Sequence, residues 1–249
     1  MKVEWEITLK CNYSCFYCTN LDQTLNVVMD KDIIRAFIKD LGETYPGVEI
    51  FVFGGEPFIH PHIEFIIECF NEFSVPFVIQ TNFSKKSVAV MKRITEKFTI
   101  QISIHPTEVR LDQLDELFKT QANIRVIDVM YTGKEAIQYY FKVKELVECD
   151  HLFLTPITDF GDGKSNDILK EYTNLRLNSP YSKFINFEDI VRQGEQRSIV
   201  WLNDKFSPRG KPCLYNGTYF LYGPNLELYN CCYRVKHNGI CEHDKCFLM

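Results

Sequence analysis

The chain has 249 residues, 45% of them hydrophobic and 24% charged, with a formal net charge of −5. That is enough for one large domain with a sizeable core, and it excludes a disordered chain, a collagen-like fibre and a coiled coil. No apolar run reaches the roughly 18 residues of a membrane span, no export signal opens the sequence, and no basic stretch suits polymeric nucleic acid.

Val3 to Leu9 reads as a first strand. Asp30 is placed to cap a helix with Ile33, Phe37, Ile38 and Leu41 on one face. Val48 to Phe53 follows as a second strand, and His60 to Phe73 as a helix burying Ile63, Ile66, Ile67 and Phe70. Phe77 to Thr81 is a third strand, and Ser87 to Lys97 a helix with Val88, Met91 and Ile94 inward. Phe98 to Ile104, Ile124 to Met130 and His151 to Thr155 complete the strands, separated by helices at Leu111 to Phe118 and Lys134 to Glu148. Such alternation predicts an α/β fold with a parallel sheet, either doubly wound or an open (βα)6 barrel, with chemistry at the C-terminal strand ends. After Thr155 the pattern weakens into a loop at Asp159 to Gly163 and a short helix near Phe187 to Gln193. From Ser207 the chain is rich in Gly, Pro, Asn and Cys, and reads as hairpins around something other than a hydrophobic core. The expected organisation is a core at 1–160, a connecting region at 161–206 and a cysteine-rich unit at 207–249.

The ten cysteines are clustered: three lie between Cys11 and Cys18, and five between Cys213 and Cys246. Clusters at both ends of a chain without an export signal point to metal rather than disulfides. Cys69 sits within an expected helix and Cys149 at the end of another, and both read as small buried hydrophobes. Cys11, Cys15 and Cys18 have the spacing Cys-x3-Cys-x2-Cys directly after the first strand, with Tyr17 before the last cysteine. Three thiolates on one loop can hold three irons of a cubane and leave the fourth open. The second strand runs into Phe53-Gly54-Gly55-Glu56-Pro57, where glycines permit close backbone approach and a carboxylate can accept from an ammonium.

The cysteine loop with Tyr17 resembles the signature of the radical S-adenosylmethionine superfamily. The Gly54-Gly55-Glu56-Pro57 turn is similar to that family's methionine-binding motif. The resemblance covers residues 3–155. It implies a partial (βα)6 TIM-like barrel, a [4Fe–4S] cluster on Cys11, Cys15 and Cys18, and S-adenosylmethionine chelating the open iron. It further implies one-electron cleavage to methionine and a 5′-deoxyadenosyl radical that takes hydrogen from a substrate. Tyr17, Gly54, Gly55, Glu56, Asn82 and Ser103 are the implied cofactor-side residues, and Thr81 is a looser match. Strict alternation in Ile100 to His105 turns Gln101, Ser103 and His105 inward; the same logic turns in Gln80 and Asn82, with Asp128 and Met130 on the fifth strand. Asp128 either orients a polar substrate or pairs with Arg125, and His105 reads as a structural or cofactor-side residue.

Cys213, Cys231, Cys232, Cys241 and Cys246 lie around a hairpin formed by Tyr219 to Tyr222 and Leu226 to Tyr229. This region is similar to the Twitch or SPASM extensions of the same family, which implies an auxiliary [4Fe–4S] cluster. The expected ligands are Cys213, Cys231, Cys241 and Cys246, with Cys231 and Cys232 interchangeable. A structural zinc site, helped by His237 and His243, is the alternative. Only one strand precedes the cysteine loop, which leaves no place for a leader-binding domain and favours a small-molecule substrate. In layout the chain looks like the short Twitch-containing dehydrogenases that oxidise an aminocyclitol alcohol to a ketone. Arg209, Tyr131 and His105 are candidate partners for an alcohol proton. Two other readings stand beside this one: modification of a peptide or protein side chain, and a non-enzymatic metal-binding module. A low-potential external electron donor of flavodoxin or ferredoxin type and a cytoplasmic location complete the expectation.

Overall fold

The structure is a computed structural model describing residues 1–18, 27–119, 123–148, 151–157 and 217–231, with Ile168, Glu171 and Ile240 besides. Strands β1 (Lys2–Thr8), β2 (Ile50–Gly54), β3 (Phe77–Thr81), β4 (Thr99–Ile104), β5 (Asn123–Tyr131) and β6 (Leu152–Pro156) form parallel neighbours in chain order. Helices α1 (Lys31–Thr44), α2 (Ile63–Glu72), α3 (Lys85–Met91), α4 (Leu114–Leu117) and α5 (Ala136–Leu146) make the crossovers. The result is a mixed α/β fold with a mostly parallel sheet. Among the described residues no helix is long and apolar enough to cross a membrane.

Local chemistry sets the helix limits. The Asp30 side chain accepts from Asp32 N–H and opens α1; Ser84 accepts from Ser87 N–H and opens α3. That cap starts α3 two residues before the Ser87 start expected from periodicity. Ile34, Ile38 and Leu41 are the buried face of α1, whereas Ile33 is 52% exposed. The expected inward Ile33 is therefore corrected: the seam runs at i, i+4, i+7 from Ile34.

Period-two alternation gives the sheet two unlike faces. Val3, Trp5, Ile50, Val52, Ile79, Ile100, Ile102, Ile127 and Val129 are buried in the apolar core with the helices. Glu4, Glu6, Phe51, Phe53, Gln80, Gln101, Ser103 and Asp128 alternate with them onto the other face. On that face Arg125 of β5 bonds Glu49, just before β2, at 2.6 Å across the intervening strands β3 and β4.

Two further strands, β7 (Tyr219–Tyr222) and β8 (Leu228–Tyr229), make an antiparallel hairpin. β7 pairs in parallel with β1, so the sheet has eight strands in the order β6-β5-β4-β3-β2-β1-β7-β8. Phe220 packs on Tyr45 with ring centroids 5.4 Å apart, and Tyr222 on Phe37 at 5.0 Å. These residues therefore belong to a hydrophobic core, contrary to the expectation for the chain after Ser207. Cys231 lies two residues beyond the end of β8 and is half-buried. Cys149, Cys213, Cys232, Cys241, Cys246, His237, His243 and Arg209 lie outside the described residues, as do the helix expected near Phe187 and the 161–206 connecting region except Ile168 and Glu171.

Candidate active site

The C-terminal ends of β1 to β4 bring together the residues singled out in the sequence. The cysteine loop leaves β1 over a stem that β2 grips through main-chain atoms. Gly55 N–H donates to Thr8 O at 2.8 Å, and Glu56 N–H to Lys10 O at 2.9 Å. A Cβ on Gly54 would stand 2.2 Å from Thr8 O, and one on Gly55 2.2 Å from Lys10 O. Gly54 also has φ +147°, where side chains are rarely tolerated. Both glycines are thus required by the loop stem itself, whatever ligand approaches from the other side.

Glu56, whose carboxylate is expected to reach a ligand, is held by internal donors. It is fully buried. It receives Phe58 N–H at 3.0 Å, the Thr81 hydroxyl at 2.9 Å and Asn82 N–H at 2.7 Å. Burial pushes its carboxyl up to about 7, against the pull of those donors. Through these bonds it ties the end of β2 to the end of β3. Asn82 continues the tie: its amide donates to Asn12 Oδ1 at 3.0 Å and to Cys11 Sγ at 3.7 Å, while its own Oδ1 accepts from Ser84 N–H at 3.0 Å.

The three thiols of the loop are half-buried. Tyr13 N–H donates to Cys11 Sγ at 3.4 Å, and Cys18 N–H to Cys15 O at 3.0 Å. Burial pushes Cys15 up to about 12, with the nearby Glu108, Cys18 and Cys11 adding to the rise; Cys11 is raised in the same way. Metal-free, the Cys11 and Cys15 thiols are protonated, so binding a metal there releases protons. The sulfurs feel one another electrostatically, and their softness suits iron–sulfur chemistry. Among the described residues no three Cys, His, Asp or Glu side chains converge as around a single ion. A cubane asks for something else, since each cysteine sulfur binds a different iron. Cys11, Cys15 and Cys18 fit that group.

Tyr17 is buried against His105, with rings stacked at 5.9 Å and Tyr17 Oη 2.8 Å from His105 Nδ1. The same nitrogen lies 3.5 Å from Cys15 Sγ. Desolvation lowers His105 to about 4, so its ring is neutral at physiological pH. This contact has no sequence signal, because 88 residues separate the two rings.

Deeper between the strands, polar side chains join into pairs. Gln80 donates to Ser103 Oγ at 3.0 Å; Gln101 and Thr155 donate to the two oxygens of Asp128 at 2.9 and 2.8 Å. The alternation read from Ile100 to His105 thus places Gln101 and Ser103 together with Gln80 and Asp128. Thr155 was missed, although β5–β6 pairing puts it beside Met130. Tyr131 lies on the opposite face, is fully buried and donates to Glu171 at 3.1 Å, away from the polar pairs.

Residues 5–130 match the model of the Radical SAM superfamily. No curated protein sequence matches the chain. Among solved structures, SuiB of Streptococcus suis bound to precursor peptide SuiA is similar in fold, with a TM-score of 0.56 and 15% identity. That alignment covers 96% of this chain and 62% of SuiB. SuiB bound to S-adenosylmethionine gives a TM-score of 0.54 at 14% identity, covering 100% of this chain and 61% of that one. The structure of anSMEcpe with bound AdoMet gives 0.56 at 16%, covering 94% and 75%. The chain therefore spans about 62% of the length of SuiB.

Proposed function

The chain belongs to the radical S-adenosylmethionine superfamily, and on that premise we propose that it is an enzyme that cleaves S-adenosylmethionine reductively and takes hydrogen from a small polar substrate. One observation carries the reading: Gly55 and Glu56 are stitched to the stem of a loop bearing Cys11, Cys15 and Cys18. When bound, the cluster and S-adenosylmethionine supply one-electron cleavage of the sulfonium and hydrogen abstraction. Cys11, Cys15 and Cys18 hold the cluster. Tyr17, Gly54, Gly55, Asn82 and Ser103 line the S-adenosylmethionine site at the mouth of a partial (βα)6 barrel. Glu56 joins them: three internal donors hold its carboxylate in place, and it keeps acceptor capacity for an ammonium. The paired Gln80, Gln101, Ser103, Asp128 and Thr155 suit a substrate rich in hydroxyl or amine groups.

The C-terminal cysteines, Cys213, Cys231, Cys241 and Cys246, hold an auxiliary [4Fe–4S] cluster in a Twitch- or SPASM-like unit at 207–249, which makes the net reaction an oxidation. A low-potential flavodoxin or ferredoxin reduces the protein in the cytoplasm. A second reading, modification of a peptide, draws on the SuiB structure that holds a precursor peptide. Anaerobic reconstitution with an iron and zinc count tests the whole: about eight irons per chain are expected, about four of them lost in Cys213→Ala. Reduced protein with S-adenosylmethionine is expected to yield methionine and 5′-deoxyadenosine. Incubation with deuterated small-metabolite and peptide fractions then tells the two substrate classes apart, by which fraction passes deuterium into 5′-deoxyadenosine.

A further inference from the structure

The three cluster sulfurs are not equivalent in what donates to them. Cys11 Sγ receives a main-chain N–H from Tyr13 and the Asn82 amide. Cys15 Sγ instead faces an imidazole backed by a phenol: His105 Nδ1 lies at 3.5 Å, with the Tyr17 hydroxyl beside that nitrogen. Those two groups are bonded to each other at 2.8 Å and held parallel by stacking. The Tyr13 ring also meets the imidazole edge-on, with centroids 6.0 Å apart. The imidazole is therefore clamped rather than free to turn away.

A thiolate ligating iron carries no proton and can only accept. With hydrogen on Nε2, Nδ1 accepts from the Tyr17 hydroxyl and the imidazole gives the sulfur no donor. The tautomer with hydrogen on Nδ1 is favoured by the negative charge of a thiolate 3.5 Å away. It donates to Cys15 Sγ directly, or to Tyr17 Oη while the phenol hydrogen turns to the sulfur. Both arrangements put a donor on the same sulfur. Adding one electron to a cluster increases the negative charge on its sulfurs, and a donor aimed at a sulfur stabilises the reduced form more than the oxidised form.

We propose that His105, acting with Tyr17, is a positioning residue that donates to the Cys15 sulfur and raises the reduction potential of the cluster on Cys11, Cys15 and Cys18. The inference rests on the cluster assignment made under Proposed function. It concerns how readily the cluster takes its electron, separately from how S-adenosylmethionine binds.

The test is an anaerobic redox titration of the reconstituted full chain with dithionite, followed by electron paramagnetic resonance. The signal followed is the one that added S-adenosylmethionine perturbs, which separates this cluster from an auxiliary one. His105→Ala with iron content unchanged is expected to shift the midpoint to lower potential, and His105→Phe, which keeps a ring but no donor, to shift it the same way. His105→Asn, whose amide nitrogen falls near the Nδ1 position, is expected to restore most of the wild-type midpoint. A purely structural role for His105 predicts no such shift and no such rescue. An iron-loaded His105→Ala with the wild-type midpoint overturns the proposal. Should His105→Ala not take up iron, a wild-type midpoint in iron-loaded His105→Phe, which keeps a ring on Tyr17 without a donor, overturns it instead. Wild-type protein with no signal responsive to S-adenosylmethionine sinks the cluster assignment, and this donor with it.

Discussion

On its β2 side, β1 is held main chain against main chain. Thr8 and Lys10 carbonyls accept from Gly55 and Glu56, with no room for a single added carbon. On its β7 side, the strand ladder is reinforced by side chains. The Tyr219 hydroxyl donates to Glu4 at 2.6 Å, and the Tyr45 and Tyr222 hydroxyls bond at 3.0 Å. The first junction aims a reactive loop; the second adds a hairpin to the sheet. Geometry needed for chemistry is set by backbone, which allows one arrangement, whereas geometry needed for cohesion is set by side chains, which substitutions weaken by degrees.

Substitutions that sharpen this contrast fall in a clear order. Cys15→Ala is expected to abolish 5′-deoxyadenosine formation, and retained formation would count against the first site. Gly55→Ala is next, because its Cβ meets Lys10 O at 2.2 Å and neither backbone can yield cheaply. A loss above about 4 kcal/mol of stability, or no iron uptake by the loop, is expected from denaturant titration and iron analysis. Normal behaviour of that variant would break the comparison.

Glu56→Gln comes third. Its amide nitrogen must face at least one of the donors that the carboxylate now accepts, at about 3 kcal/mol. This variant also carries a pH signature. The Glu56 carboxyl titrates near 7 in the folded chain and at the ordinary 4.5 when unfolded. The folded state thus binds its proton more tightly. That contribution is complete below about pH 4.5 and disappears as pH rises through about 7. The stability gap between wild type and Glu56→Gln should narrow from pH 5 to pH 8, measured by denaturation at each pH; a widening gap contradicts the assignment. Smallest is Tyr219→Phe on the β7 side, expected to cost about 1–2 kcal/mol with the cluster loop still loading iron, because Lys2 remains 2.5 Å from Glu4.

The sequence makes the site's parts visible where chemistry repeats at short range. Alternation in Ile100 to His105 is enough to place Gln101 and Ser103 on one face, because a strand has only two faces to offer. The cysteine spacing and the Gly-Gly-Glu-Pro turn are legible for the same reason. Adjacent Ile33 and Ile34 are a harder case: both fit a helical stripe, and the Asp30 cap that fixes the phase decides for Ile34. The direction of the Glu56 side chain is hidden, since its partners Thr81 and Asn82 come 25 and 26 residues later. The pairing of β7 with β1 is hidden most of all, because contacts across 215 residues leave no local trace.

That last pairing has a consequence for the order of assembly. β1 is translated long before β7, so one of its edges stays open through most of synthesis while β2 can already close the other. The cysteine loop is held by β1, β2, β3 and the His105 that follows β4, all of which a ribosome delivers before β7. A growing chain thus has its metal-receiving thiols in place well ahead of the strand that seals the sheet behind them.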